Sequence, residues 1–420
     1  MSINEALALH GGPQAVTIED PHFVWPVIDQ RTHSAVARQL DESVSLYDRS
    51  GVIARLEDKL RQRTGVEHAL LTNSGTSALH TMYIASGIGP GDEVICPAYT
   101  FFATATPLLF TGAVPVFADS GPDGNIDPAA AEAAITSRTK AIVITHMWGL
   151  PCDMDALMGI AQRYNLLLLE DISHAFGATY QGQPVGSFGH AAAQSLQGQK
   201  PLTGGEGGVL LTNSSDVHYN GLAVGHYNVR CKREIPTDHQ LSEFAVTGMG
   251  LKFRIHPLAA AIAEQQLDSY DEIQRGRDRV AARMADVLGQ LPGLEVIQPS
   301  AGATSSWYAL LLRVTDDVPG RTTAAELEKA LHAEGATEVD RPGSTRPLPQ
   351  LPLFQKPEAL FPAYANHTPQ PVSAFPQANA FHEGILKLPV WHRNADNSIL
   401  EAYLAAFTKV WAHLERHGRL

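Results

Sequence analysis

Short apolar runs alternate with stretches of helical apolar spacing between residues 68 and 212. The runs have the length of buried strands, and the apolar residues between them recur every three or four positions, as in amphipathic helices. Buried strands separated by helices predict an α/β fold, with a mostly parallel central sheet covered by helices on both faces. The predicted strands are residues 68–72, 93–96, 114–118, 141–145, 166–169 and 207–212.

The same periodicities predict elements on either side of this region. Predicted helices include residues 32–46, 52–64, 257–288, 323–334 and 399–414, and residues 307–314 form a further predicted strand. Residues 341–375 are rich in proline and weakly periodic, which indicates an ordered, functional loop. We therefore predict an N-terminal arm over residues 1–30, a large domain over 31–265 and a smaller α+β domain over 266–420.

Composition narrows the class of protein. The 420 residues carry a formal net charge of −13, which disfavours binding to nucleic acid or to an anionic membrane surface. No apolar run is long enough to span a bilayer, and residues 1–12 lack the pattern of a signal peptide. Three scattered cysteines form no disulfide or zinc pattern. We expect a cytoplasmic protein without a metal site.

The first candidate chemistry lies in the segment 168–208. Asp171 ends an apolar run, and Lys200 lies in a loop of small residues before the next predicted strand. Ligands of open α/β sheets bind at the carboxyl ends of the strands. Pyridoxal 5′-phosphate (PLP) needs a lysine amine for its aldehyde and a carboxylate for its pyridinium nitrogen. Taken singly, a lysine is more often a solvated charge and a strand-end aspartate is often a helix cap.

Two other segments could complete a cofactor site. Residues 73–79 form a small polar turn that enters a helix, where Gly75 and Thr76 could offer N–H and hydroxyl groups to a phosphate. The alternative is a simple helix cap. Phe101 follows the next predicted strand, where its ring could stack on a flat cofactor or pack in the core.

Together these motifs resemble the DegT/StrS family of PLP-dependent aminotransferases of fold type I. The resemblance begins near Val24 and is densest over residues 71–267. It rests on the segments SGTSALH, GDEVICPAYTFFATA, LLEDISHAFGA, SLQGQKPLTGGEGG, GLKFRIHPLAAAIAEQQL and LPVW, which occur in this order. The family implies a PLP or PMP cofactor and a homodimer with shared active sites.

The resemblance implies a role for each matching residue. Lys200 matches the lysine that forms the Schiff base, and Asp171 matches the partner of the pyridine nitrogen. Phe101 matches the ring that stacks on the cofactor. His174 matches a position near the phenolic oxygen, although a buried structural histidine is the alternative. Gly75, Thr76 and Ser195 match phosphate-binding positions, and Gln197 lies where relatives usually have a polar residue near the phosphate or the substrate.

One segment departs from the family pattern. Relatives commonly have Asn in a G-x-N-x-R segment that reaches the phosphate across the dimer interface, and here Lys252 takes its place. Lys252 could bind the phosphate as a point charge or bind an acidic substrate group. Arg254 is retained and could contact substrate or the interface. A charge at the dimer interface with no catalytic role is the alternative for both.

The resemblance implies an aminotransferase that converts a keto sugar, nucleotide-linked or not, or a ketocyclitol to the amine. L-glutamate or L-glutamine would be the donor. Candidate substrate residues are Tyr47, Arg230, Arg254 and Arg341. The alternatives are another PLP-dependent reaction and a non-catalytic regulatory protein. Dehydratase relatives have histidine in place of the lysine, so Lys200 disfavours that branch. The sequence leaves the acceptor, its carbon and stereochemistry, the donor and the pathway open.

Overall fold

A computed structural model describes residues 6–420, and the first five residues of the predicted arm lie outside this range. Within it, a seven-stranded sheet has the order β1-β10-β9-β6-β5-β2-β4. All neighbours from β9 to β4 are parallel, and β10 is antiparallel to both β1 and β9. The strands are β1 (His68–Thr72), β2 (Glu93–Pro97), β4 (Val114–Ala118), β5 (Thr139–Thr145), β6 (Leu167–Asp171), β9 (Ala191–Ser195) and β10 (Gly208–Thr212). The predicted mostly parallel sheet is confirmed.

The sequence analysis missed β9, which lies in the middle of this sheet. Its residues, AAAQS, are buried at every position, yet they include none of the branched or aromatic residues that mark a strand. Small side chains suit this position because helix α3 (Gly75–Ala85) packs closely against β9. The strand matters for function, since it ends at Ser195.

Helices cover the large sheet, and most of them begin at a side-chain cap. Ser74, Asp127 and Asp153 each accept hydrogen bonds from N–H groups of the first turn, which explains where α3, α5 and α6 begin. The helices up to residue 234 are α1 (Gln30–Glu42), α2 (Gly51–Thr64), α3 (Gly75–Ala85), α4 (Thr106–Thr111), α5 (Pro128–Ala133), α6 (Met154–Tyr164), α7 (Ser215–Gly225) and α8 (Val229–Glu234).

The single helix predicted over residues 257–288 is wrong in one respect, because the structure divides it into α9 (Pro257–Asp268) and α10 (Tyr270–Leu288). At Ser269 the main-chain N–H bonds to Gln266 O, three residues back, rather than continuing the α-helical pattern. Tyr270 is fully buried beside this break, and its hydroxyl donates to Phe176 O in the turn that follows β6. Burial of this ring against Phe176 fixes the point of interruption.

A second sheet lies in the C-terminal part of the chain. Its antiparallel order is β11-β13-β15, with strands β11 (Leu294–Val296), β13 (Leu310–Val314) and β15 (Ile385–Leu388). Helices α10, α11 (Ala324–Ala333) and α14 (Asn397–His417) enclose an apolar core that includes Trp391, Phe407 and Trp411. Leu7 and Val16 of the arm join this core. The predicted smaller α+β region is present, while the exact domain boundaries stay a prediction.

The proline-rich segment 341–375 is ordered and lies over the edge of the large sheet. Its strand β14 (Arg346–Pro347) pairs with β3 (Tyr99–Thr100), directly before Phe101. The short elements that complete the chain are β7 (Thr179–Tyr180), β8 (Gln183–Pro184), β12 (Ala303–Thr304), α12 (Pro352–Gln355) and α13 (Pro376–Gly384). No helix within residues 6–420 has the length and hydropathy required to cross a membrane.

Candidate active site

A cavity of about 380 Å³ lies at the carboxyl ends of the parallel strands. β5 ends there at Thr145, β6 at Asp171 and β9 at Ser195. The sheet topology thus brings together side chains from segments that are far apart in the sequence. Eight of the predicted cofactor-site residues line this cavity, namely Gly75, Thr76, Phe101, Asp171, His174, Ser195, Gln197 and Lys200.

The side chain of Lys200 is half-buried and projects between two aromatic rings. Its Nζ lies 5.8 Å from the ring centroid of Phe101 and 5.0 Å from that of Tyr308. Burial lowers the pKa of this amine to about 8, and the attraction of Asp171 opposes the shift. At pH 7 roughly a tenth of such an amine is neutral, several hundred times more than for a solvated lysine. Lys200 is therefore suited to act as a nucleophile and a base.

Asp171 is buried, and hydrogen bonds fix the orientation of its carboxylate. Oδ1 accepts from the main-chain N–H of Ser173 at 3.0 Å, and Oδ2 accepts from Thr104 Oγ1 at 2.8 Å. Thr104 in turn bonds to Thr100 and Thr145, at 3.1 Å each. The sequence analysis did not identify Thr104, whose only signal was its place four residues after Thr100 in the segment that follows β2.

The N-terminus of α3 faces the same cavity. Ser74 Oγ accepts from Ser77 N at 3.0 Å, while the N–H groups of Gly75 and Thr76 have no carbonyl to bond within the helix. A methyl group on Gly75 would lie 2.5 Å from Ser195 Cβ, so only glycine permits this close approach of α3 and β9. Free N–H groups at a helix N-terminus, beside serine hydroxyls, form an anion-binding site.

His174 lies flat against Tyr308, with ring centroids 3.9 Å apart and an interplanar angle of 11°. Burial, together with the charge of Lys200, holds the pKa of His174 well below its usual value, so the ring is neutral. Its Nδ1 accepts a hydrogen bond from Trp148 N at 3.4 Å, which leaves Nε2 as the protonated nitrogen. The sequence analysis missed Tyr308, although two serines followed by two aromatics before β13 were a visible signal.

Three predicted residues lie outside the cavity of this chain. Lys252 is exposed, and the guanidinium of Arg254 lies over the ring of Tyr47, 5.3 Å from its centroid. Tyr47 itself is 58% exposed. All three remain accessible to a second molecule, and none contributes to the wall formed by the residues of one chain.

Arg230, predicted as a substrate residue, does not line the cavity and is paired with carboxylates. The residue is 2% exposed, and its guanidinium donates to both oxygens of Glu57 and both oxygens of Glu234 at 2.6–3.1 Å. Four of the five guanidinium N–H donors of Arg230 are thus bonded to carboxylates, which leaves one N–H of Nη1 and little capacity to bind a substrate. Arg341 is half-buried and also does not line the cavity; its main-chain N–H donates to Glu328.

The arrangement combines a lysine of lowered pKa, a buried carboxylate, an aromatic ring and an anion site in one cavity of an open α/β sheet. These features define an enzyme that could hold a flat, phosphate-bearing cofactor next to a reactive amine. A sequence model of the DegT/DnrJ/EryC1/StrS aminotransferase family matches residues 28–402. The chain therefore belongs to this family and is an aminotransferase.

Individual relatives agree with this assignment. The chain is 32% identical to L-glutamine:scyllo-inosose aminotransferase of Streptomyces griseus, with 99% of this chain and 100% of that protein covered. It is 38% identical to GDP-perosamine synthase of Caulobacter vibrioides, over 67% of this chain and 74% of the relative. Among solved structures, an aminotransferase from Psychrobacter cryohalolentis matches with a TM-score of 0.83 at 27% identity, covering 94% of this chain and 100% of that one.

Proposed function

We propose that this protein is a PLP-dependent aminotransferase that converts a keto group of a sugar or cyclitol to an amine, with L-glutamine or L-glutamate as the donor. The observation that carries the proposal is the convergence of Lys200, Asp171 and the N-terminus of α3 on one cavity. These are the three groups that a pyridoxal phosphate requires at its aldehyde, its ring nitrogen and its phosphate.

The residues present fit this cofactor. The N–H groups of Gly75 and Thr76, with the hydroxyl of Ser195, would bind the phosphate, and Gln197 lies two residues beyond Ser195. Phe101 would pack against one face of the ring. The neutral ring of His174 would offer its Nε2 proton to the phenolic oxygen. When bound, the cofactor would act as an electron sink for the carbon that loses a proton.

Two residues would move or hold protons. Lys200 Nζ, whose pKa of about 8 lies near neutrality, would take a proton from the donor's α-carbon and return one to the cofactor side. Asp171 would hold a proton on the ring nitrogen, and Thr104 and Ser173 keep its carboxylate oriented for this role. The aromatic rings of Phe101 and Tyr308 would exclude water around Nζ.

The relatives support the substrate class. One curated relative is named for L-glutamine and scyllo-inosose, and another for GDP-perosamine. The structure of DesI, in the presence of its TDP-sugar product, matches with a TM-score of 0.77 at 28% identity. The names of these relatives imply acceptors that carry a keto group on a polyhydroxylated ring. We propose the same class of acceptor for this chain.

We further propose a homodimer in the cytoplasm. Tyr47, Lys252 and Arg254 are accessible on the surface of one chain, and a second copy would bring them to the substrate side of its partner's cavity. Cys96, Cys152 and Cys231 are all free and buried, which suits a reducing compartment.

The test is the visible absorption of the purified protein loaded with PLP, before and after each donor is added without acceptor. We expect a yellow protein that bleaches with L-glutamine or L-glutamate and releases one equivalent of the 2-oxo acid per site. D-glutamine is the control and should leave the spectrum unchanged. Addition of scyllo-inosose or a nucleotide-linked 4-keto sugar should then restore the colour. A protein that binds no PLP would contradict the proposal.

A further inference from the structure

Trp25 of the N-terminal arm makes a direct contact with the loop that carries Lys200. Its indole Nε1 donates a hydrogen bond to the main-chain carbonyl of Lys200 at 3.0 Å. The loop's other hydrogen bonds near this point are internal, such as Lys200 N to Gln197 O at 2.9 Å and Gly204 N to Leu196 O at 3.0 Å. The contact thus ties the lysine's main chain to a segment that lies 175 residues away in the sequence.

The indole ring is itself held from the opposite side. The guanidinium of Arg277, on α10, lies 4.4 Å from the ring centroid, and His392 meets the ring edge-on at 5.7 Å. Arg277 is 4% exposed, and within residues 6–420 its Nε and Nη1 have no hydrogen-bond partner. Because these two nitrogens are unpaired, the guanidinium of Arg277 is stabilised by the face of the Trp25 ring. The same contact fixes the plane of the indole.

The arm next to Trp25 is anchored to the C-terminal core. His22 O accepts from Trp391 Nε1 at 2.8 Å, and His22 Nδ1 bonds to Tyr403 Oη at 2.7 Å. Residues 22–25 therefore connect the core of the small sheet to the loop that carries Lys200, and hydrogen bonds hold this segment at both ends. The position of Trp25 is set by that core and by α10 rather than by the lysine loop itself.

The indole of Trp25 also borders two cavities outside the active site. It lines a cavity of about 650 Å³ that adjoins the active-site cavity, with Gln199, Tyr308, Ser344 and Thr345 lining both. It also lines a cavity of about 410 Å³, formed with α9 and α10. Because the indole borders both cavities and contacts the main chain of Lys200, its removal would widen the access of water to the lysine loop.

We propose that Trp25 is a positioning residue for Lys200. Its indole N–H holds the lysine's main chain so that Nζ stays in the aromatic environment facing Asp171, and its ring excludes water from behind the loop. This inference rests on the proposed function, in which Lys200 is the reactive amine. The titratable groups that face Lys200 or line its cavity are Asp171, His174, Glu206 and Tyr308, and Trp25 does not line this cavity.

The test is Trp25→Phe, which keeps an aromatic face over Arg277 and removes the N–H. In the full chain freed of cofactor, the pH dependence of Lys200 acetylation by acetic anhydride is followed by peptide mass spectrometry, with the exposed Lys140 as an internal reference. We expect the apparent pKa of Lys200 to rise by roughly half to one unit, as loss of one hydrogen bond and entry of water would produce. The reference residue Lys140 should be acetylated equally in both proteins. In the loaded enzyme, the pH midpoint of the absorbance spectrum should shift, and kcat should fall more than KM changes.

The matched control is Trp411→Phe. It removes an equivalent indole hydrogen bond, to Pro292 O at 2.9 Å, in the apolar core next to the small C-terminal sheet. We expect it to lower the melting temperature and leave the pKa of Lys200 unchanged. Trp25→Tyr also lacks the indole N–H and should reproduce the upward shift if the Phe variant does not fold. An unchanged Lys200 pKa in the Trp25 variants, or an equal shift in Trp411→Phe, would overturn the inference. If the apparent pKa of Lys200 shifts as expected but the protein does not respond to any amino donor, the proposed function alone would be overturned.

Discussion

Lys200 and Arg230 are both cationic side chains with little access to bulk water, but they differ in their ion-pair partners and in the direction in which their pKa is shifted. Lys200 has no carboxylate at ion-pair distance among the residues the structure describes, and burial lowers its pKa to about 8. Arg230 is bonded to Glu57 and Glu234 through all of its nitrogens. Although burial opposes its charge, these carboxylates raise its pKa.

The difference separates a reactive charge from a structural one. A buried cation with a full set of partners keeps its proton and stabilises the fold only as part of its network. A cation without such partners loses its proton readily and can attack or abstract. The sequence made both residues candidates for the site because it shows the charge of a residue and not its partners.

Substitution of Lys200 should produce the largest effect on activity. Lys200→Ala removes the amine that would bind the cofactor and move the proton, so we expect 2-oxo acid release to fall by at least roughly 10²–10⁴-fold. Lys140→Ala is the control and should keep wild-type turnover, because Lys140 lies at the amino end of β5, opposite the strand ends that form the cavity. Stability should be retained, since Lys200 forms no ion pair that its removal would break. Sustained multiple turnover by Lys200→Ala would contradict the assignment of Lys200 as the reactive amine, in contrast to Arg230.

Substitution of Arg230 should instead produce the largest effect on stability. Arg230→Met leaves Glu57, which is 0% exposed, with one fewer cation, and we expect a loss of about 3–5 kcal/mol in the free energy of unfolding. Urea titration monitored by fluorescence would measure it. The double variant Arg230→Met/Glu57→Gln should be more stable than the sum of the single effects predicts, because the two side chains interact directly. If folded Arg230→Met loses turnover while keeping its stability, Arg230 is a substrate residue after all.

The anion site near Lys200 can be tested through one glycine. Gly75→Ala places a methyl group 2.5 Å from Ser195 Cβ and should force α3 away from β9. We expect the affinity for PLP to fall by roughly tenfold or more, since the phosphate contacts depend on this approach. Gly159→Ala in α6, where an added methyl meets nothing within 4 Å, is the matched control. It should leave PLP affinity unchanged and raise stability by about 0.5–1 kcal/mol.

A pH dependence of stability is also expected in the cofactor-free chain. Lys200 has a folded pKa of about 8 and an ordinary value of 10.5, so between these values the unfolded chain binds more protons. Stability relative to Lys200→Met should therefore rise as the pH increases from 8 to 10.5. Parallel urea titrations of the two proteins would measure the difference. A difference that does not vary over this range would place Lys200 in a solvated environment.

The periodicity of the chain predicted most of the fold, and its failures have local physical causes. The strands β1 and β4 were predicted at their observed bounds because each is a short, mainly apolar run. β9 was missed because alanines carry no strand signal, although burial against α3 requires such small side chains. The break at Ser269 was missed because helical spacing continues across it, and Tyr270 is buried there against a turn that is distant in the sequence.

The sequence by itself determined the class of fold, and its motifs predicted eight of the residues that line the cavity, because strand-end positions and loop motifs are local properties of the chain. It could not assign Thr104, Tyr308 and Trp25 to Lys200 and Asp171, since these contacts join segments 67–175 residues apart. Nor could it separate Arg230 from the site. Only the tertiary structure decided which charges are paired, because pairing depends on distances that exist only after the chain has folded.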